Sequence, residues 1–270
     1  MAMNFIHLFP LAGLLTAICT FMLWRGVWKP PQVSANTLIP LLSIAMLLNL
    51  YALFRLEPIA DWGLDFRLAA AVSISVLIVQ YIYFIGLLRH GIHGLGLFLL
   101  PITAIPLLAI PLLSDAPILR IETYSMLEVS HLILSLLAYA ILTLATIHAL
   151  MHLLLDRALK RKKIGPIVHA MPSLQEVESH MYAQVGSATW ILALGILSGL
   201  VWQWEAFGHF NLLSHKVILS FFSWVVLVGL LGFRRRSGWQ SRRAGWMVIA
   251  AYLLLLLAYF GVRVMQSSLA

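Results

Sequence analysis

Long apolar runs separated by short polar breaks occupy nearly the whole chain. They fall near residues 4–24, 37–55, 68–88, 94–113, 127–155, 186–204, 215–233 and 244–265. A helix needs about 20 mostly apolar residues to cross about 30 Å of hydrocarbon. The pattern therefore predicts about eight transmembrane helices. A membrane β-barrel needs strict polar–apolar alternation, which these runs lack. The expected fold class is all-α, a polytopic membrane helix bundle. The fourth run carries Pro101, Pro106 and Pro111, and proline removes a backbone donor, so this span is expected to be kinked or partly broken. The first run is followed by Trp24-Arg25-Gly26 rather than a small-residue cleavage pattern, and reads as a retained helix.

The polar breaks differ in charge. Arg157, Lys160, Arg161, Lys162 and Lys163 follow the fifth run, and Arg234, Arg235, Arg236, Arg242 and Arg243 follow the seventh. Lysine and arginine favour cytoplasmic loops. With eight spans, Arg25, Lys29 and Arg89 fall on that same side, while Glu57, Asp61, Asp65, Asp115, Glu122 and Glu205 fall opposite. Both termini are then expected to face the periplasm of a bacterial inner (plasma) membrane. The expected organisation is an N-terminal four-helix half, 1–126, and a second half, 127–270, with a cytoplasmic connector at 156–185. Within that connector Ser173-Leu174-Gln175-Glu176 has the form of a capping box. Leu174, Val177 and Met181 give it an apolar stripe, as in a short helix lying along the membrane interface, either as a plain link or as a partner site.

Composition agrees. The chain is 61% hydrophobic and 10% charged, with mean hydropathy +0.94. A soluble domain carries about 25% charged residues. The net charge of +8 lies beside apolar spans rather than on one basic face, so nucleic acid is not an expected partner. The single cysteine, Cys19, sits inside an apolar run and excludes an intrachain disulfide, a CxxC pair or a cysteine-based zinc site.

Histidine within or beside a span is costly unless partnered. His131 lies near the outer end of the fifth run, with Glu128 and Ser135 one turn to either side. His209 and His215 flank the loop between the sixth and seventh spans, and His7 lies at the start of the first. All four are expected at similar depth on one side, where each reads either as a polar interfacial residue or as an axial ligand to haem iron. His148, His152 and Asp156 recur at helical spacing; they read as headgroup-level residues or as metal ligands on one face. Arg263, in the last span, reads as a snorkelling or Glu128-paired base, or as a clamp for an acidic ligand group. The stretch Trp202 to Phe210 is aromatic, an interfacial belt or a flat platform for a porphyrin. No GxSxG, HExxH or Walker pattern is present, so hydrolase or NTPase activity is unsupported.

The second half also carries longer text. Gly195-Ile196-Leu197-Ser198-Gly199-Leu200-Val201-Trp202 is followed by Glu205-Ala206-Phe207-Gly208, then Gly238-Trp239 with Arg242-Arg243, then Tyr259-Phe260-Gly261-Val262. From about Leu127 to Val262 the chain resembles the cytochrome c assembly family of haem-handling membrane proteins (the CcsA/CcmC/CcmF group), and most closely its YpjD-like inner-membrane branch. That family carries a tryptophan-rich outer loop of the form WGxxWxWDPK. Phe207, Gly208 and Lys216 fit it, whereas Asn211 and Leu213 replace two tryptophans and Ser214 replaces the aspartate. The family's outer histidine at the start of the fifth helix matches His131. Its other two histidines have no counterpart, since those places fall near Ala270 and at Gly232.

The resemblance implies a protein that binds or presents haem (haem b) at the periplasmic face and performs no turnover chemistry. His131 would ligate the iron, and either His209, His215 or His7 would supply a substitute second ligand or the site would have lost haem. Trp202 and Phe207 would shelve the ring, and Arg263 or Lys216 would meet its propionates. The alternative is a non-haem accessory or regulatory subunit of another inner-membrane complex, for example an ion transporter, on the same scaffold. The lipid bilayer is a partner in either case.

Overall fold

In hydrocarbon no water is available to bond a free peptide group, so an apolar run must satisfy its backbone internally as an α-helix. The computed structural model obeys this constraint; it describes residues 5–29, 33–56, 59–60, 63–65, 68–90, 93–113, 120–121, 126–163, 165–237 and 241–258. The helices are α1 (Leu8–Trp28), α2 (Ala35–Arg55), α3 (Leu68–His90), α4 (His93–Ala109), α5 (Met126–Lys160), the short α6 (Pro166–His169), α7 (Leu174–Phe207), α8 (His215–Ser237) and α9 (Ser241–Leu256). Among the described residues seven helices (α1 to α5, α7 and α8, with α4 counted through its following 3₁₀ turn to Leu112) are long and apolar enough to cross a membrane. The eighth expected span, 244–265, begins within α9, and its remainder lies outside the described residues. Three very short strands, β1 (Ile59–Ala60), β2 (Gly63–Asp65) and β3 (Arg120–Ile121), form an antiparallel sheet in which Leu64 is opposite both Ile59 and Ile121.

The contacts divide the chain into two compact units, Met1–Tyr124 with Lys162–Pro172, and Ser125–Arg161 with Ser173–Ala270. In the first, α1 packs on α2 and α4, and α3 packs on α2 and α4. Buried side-chain bonds join these helices. Gln80 donates from Nε2 to the hydroxyls of Thr16 and Thr103, each at 3.3 Å, tying α3 to α1 and α4. Ser73 donates to Asn49 Oδ1 at 2.8 Å.

The fourth span keeps its helix at two of its three prolines. α4 runs through Pro101 and Pro106 without a break, and only at Ile110–Leu113, which contains Pro111, does it tighten to a 3₁₀ turn. A helical proline leaves the carbonyl four residues earlier without its usual donor. For Pro101 that carbonyl belongs to Leu97, and Trp24 of α1 supplies the missing bond from its indole Nε1 at 3.0 Å. A neighbouring helix re-satisfies the freed group, as membrane interiors require.

The second unit is built from α5, α7, α8 and α9, and its most extensive contact is α5 against α7. The helix opened by Ser173 is not a separate interfacial element. It continues without interruption to Phe207 over 34 residues, about 51 Å at 1.5 Å per residue. Val177, Met181, Val185, Ala188, Leu192, Gly195 and Gly199 form one buried stripe along it, at the three- and four-residue steps of a packed helix face. The expected interfacial stripe is thus the first part of the α7 core face. It meets Ala138, Leu142, Ala145 and Ala149 of α5. Small residues on both sides permit close approach, the usual source of cohesion between helices in lipid. Further bonds tie α9 in: Tyr139 donates to the Leu255 carbonyl at 2.6 Å and Ser223 of α8 donates to the Ala251 carbonyl at 2.8 Å.

The capping box is formed as its sequence suggests. The Glu176 amide donates to Ser173 Oγ at 3.3 Å, and the Ser173 amide donates to Glu176 Oε2 at 3.0 Å. These residues precede the apolar stretch 186–204 and lie outside the lipid. The Ser173 backbone N–H first, and its side chain second, hold the Glu176 carboxyl below its ordinary value. The resulting stabilisation is present above the ordinary glutamate range and is lost as pH falls through the depressed value. Ser173→Ala should cost about 1 kcal/mol of local helix stability. The readout is faster hydrogen exchange at the Glu176 and Val177 amides. Acidification through the depressed value should lower the protection of the same amides, relative to their intrinsic exchange rates, in the wild type and also in the variant, which keeps the residue-173 backbone N–H facing Glu176.

Candidate functional site

His131 lies in the second turn of α5, on the side that meets α7. Its Nδ1 is 2.8 Å from the Gly195 carbonyl of α7. A carbonyl oxygen only accepts, so Nδ1 carries the proton and Nε2 keeps a lone pair. The same carbonyl also receives the Ser198 hydroxyl at 2.9 Å. The ring rests against Gly199: a Cβ built there would sit 2.7 Å from Cε1, 2.9 Å from Nδ1 and 3.4 Å from Nε2 of the imidazole. Gly199 therefore leaves the space that seats the ring, and Gly195, one helical turn earlier, supplies the carbonyl that holds it. Sequence reasoning identified His131 but not this support. The signal was present as the four-residue glycine spacing, which admits a close neighbour.

The aromatic stretch ends α7. Trp202 meets Phe207 edge-on at 5.7 Å, and Trp204 stacks on Phe210 at 5.1 Å. Gly208 closes the helix in the left-handed conformation, φ 69°, with its amide donating to the Trp204 carbonyl at 2.9 Å. The loop then bonds to itself. Asn211 donates its amide to Gln203 Oε1 at 2.9 Å, and His209 donates from Nδ1 to the Phe207 carbonyl at 2.9 Å. Ser214 accepts the Val217 amide at 3.4 Å, serving as the N-cap of α8, a role that serine shares with aspartate.

The predicted ligands are only partly brought together. His209 is exposed and held by its own loop, and His215 and Lys216 are exposed in the first turn of α8. Neither histidine contacts His131 among the described residues. His7 is exposed in the 3₁₀ turn before α1, in the other unit. Arg263 and its expected pairing with Glu128 lie outside the described residues.

The metal reading of His148, His152 and Asp156 is not supported. Among the described residues no group of three or more histidine, cysteine or acidic side chains is arranged to hold a metal ion. His148 instead donates to the Leu144 carbonyl at 2.9 Å and lies beside the His180 ring at 5.7 Å. His152 faces Glu178 at 3.9 Å, and Asp156 pairs with Lys160 at 2.8 Å. The two histidines point into the α5–α7 contact, where local carbonyls and α7 side chains occupy them. His180 and Glu178, their partners, were missed because helical spacing on one segment does not reveal what faces it.

Fold and site together define a polytopic helical membrane protein whose second unit seats one oriented imidazole between two helices. The profile of the cytochrome C assembly protein family matches residues 35–270, and the chain belongs to that family. It is 35% identical to inner membrane protein YpjD of Escherichia coli strain K12 over 136 residues, 50% of this chain and 51% of that one. Protein HemX of Brevibacillus brevis is 31% identical over 140 residues, 51% and 50% of the two chains. Cytochrome c biogenesis protein CcsA of Prochlorococcus marinus strain MIT 9215 is 32% identical over 88 residues, 33% and 28%. The chain spans about half the length of the first of these relatives. No solved structure matches it. With its apolar helices and its kinship to YpjD, it is a multi-pass protein of the bacterial inner membrane.

This seat gives two glycines opposite behaviour. Gly199→Ala places a methyl group inside the His131 ring contact and should destabilise the protein by about 1–3 kcal/mol. Gly186→Ala on the same helix meets nothing within 4 Å and should be neutral or stabilise by up to about 1 kcal/mol. Thermal unfolding of the two variants in one detergent checks the difference in sign.

Proposed function

We propose that this protein binds or presents haem, as haem b, at the His131 end of its second unit, and that it catalyses no turnover of its own. The observation that carries this reading is the anchored imidazole. Metal-bound histidine characteristically donates its other ring N–H to a carbonyl or carboxylate, which sets the tautomer and the ring orientation. The Gly195 carbonyl can fill that role for His131, so Nε2 would be the nitrogen that holds the haem iron. When bound, haem would supply an iron centre, while the protein would supply the ligand, an aromatic shelf at Trp202 and Phe207, and bases at Lys216 and Arg263 for the propionates. Family membership supports the reading, as do relatives whose names include a cytochrome c biogenesis protein. With the arginine-rich loops cytoplasmic, the His131 end and both termini face the periplasm.

A second reading is favoured by the loop. Asn211 bonds to Gln203, His209 bonds to Phe207 and Trp204 stacks on Phe210, all within the 202–214 segment, and a non-haem accessory or regulatory subunit of another inner-membrane complex needs nothing more from it. One experiment separates the two. Protein purified from haem-replete cells should show a Soret band, and His131→Ala should lower its haem occupancy at least about tenfold. A wild-type protein without a Soret band leaves the accessory reading standing.

A further inference from the structure

One end of the second unit gathers cations beyond what its own carboxylates can balance. Gly245 of α9 lies against Leu153 of α5 (a Cβ there would be 3.1 Å from Leu153 Cγ), so the C-terminal end of α5 and the first turn of α9 share that end. Arg234, near the end of α8, stacks its guanidinium over the Tyr182 ring of α7 at 3.9 Å, which brings α8 to the same end. Arg157, Lys160 and Arg161 of α5 therefore lie at the same end as the five arginines of residues 234–243. The acids there are Asp156, Glu176 and Glu178, since the sequence after Glu205 contains no Asp or Glu.

Each of these carboxylates is engaged. Asp156 holds Lys160 at 2.8 Å, Glu176 closes the capping box, and Glu178 faces His152 at 3.9 Å next to Tyr182. Arg157, Arg161 and Arg242 are exposed, and none forms an ion pair among the described residues. Two of them share a helix face with a large exposed apolar side chain one turn nearer the middle of the span. Leu154, 45% exposed, lies beneath Arg157, and Trp246, 59% exposed, lies beneath Arg242. A guanidinium above an uncovered apolar surface matches an amphiphile, with a phosphate at headgroup level and an acyl chain below it.

We propose that this arginine-rich end is a binding surface for anionic phospholipid, with Arg157, Arg161 and Arg242 holding headgroup phosphates and Leu154 and Trp246 contacting the chains. The first-turn amides of α9 add partial positive charge beside Arg242. A free anion gains nothing from the apolar half of the surface, whereas a phospholipid uses both halves.

The test uses the full chain in detergent with phosphatidylglycerol or phosphatidylcholine added, and native mass spectrometry counts the lipids retained. The wild type should retain phosphatidylglycerol preferentially. R157Q/R161Q/R242Q should lower that preference by about fivefold per arginine removed, whereas R157K/R161K/R242K should keep most of it. Equal retention of the two lipids by the wild type overturns the proposal. So does an unchanged preference in the glutamine variant, or displacement of phosphatidylglycerol by inorganic phosphate at millimolar concentration.

Discussion

The close approach of α5 and α7 is the contact on which the second unit depends. Lipid offers apolar helices no hydrophobic reason to associate, so cohesion must come from tight packing and from polar bonds between helices. Ala138, Ala145 and Ala149 on one side, and Ala188, Gly195 and Gly199 on the other, keep this seam narrow. Because it is narrow, a backbone carbonyl of α7 comes within hydrogen-bond reach of an imidazole on α5. A larger residue at 199 would occupy the space of the His131 ring. Packing and chemistry therefore share one cause here: the glycines that let the helices meet also orient the candidate ligand.

Away from that seam, several buried polar groups also bond from one helix to another. Gln80 is clamped by two threonines, Ser73 bonds to Asn49, and Trp24 occupies the carbonyl that Pro101 leaves without a donor. Each bond links different helices, so each satisfies a group that lipid cannot and also sets a packing register. The two ends of the second unit then differ in character. One carries His131, the aromatic turn and little charge, while the other carries most of the unit's arginines.

The spans were legible because hydropathy reports directly on the solvent a segment requires, and each described helix except the four-residue α6 overlaps an apolar run. Ser173 and Glu176 were legible because capping is local. What the sequence hid is what neighbouring helices decide. Three prolines argued for a broken α4, but Trp24, 73 residues away from Leu97, compensates for one of them. A capping box argued for a separate interfacial helix, but its apolar stripe stays in phase with the stripe of the following span and merges with it. The spacing of His148 and His152 left headgroup-level and ligand readings open because it does not show that α7 faces them. At the candidate site the sequence pointed to His131 by family resemblance, while its contact with the Gly195 carbonyl and the space left by Gly199 were not legible.

The account rests on His131 being a fixed imidazole protonated at Nδ1, with Nε2 unprotonated. Nitrogen-15 NMR of the histidine-labelled, haem-free protein in micelles tests this directly, with the His131 signals identified by their loss in His131→Gln. The account predicts a single neutral tautomer bearing its proton on Nδ1. A proton on Nε2, or the averaged shifts of a freely exchanging ring, would contradict it.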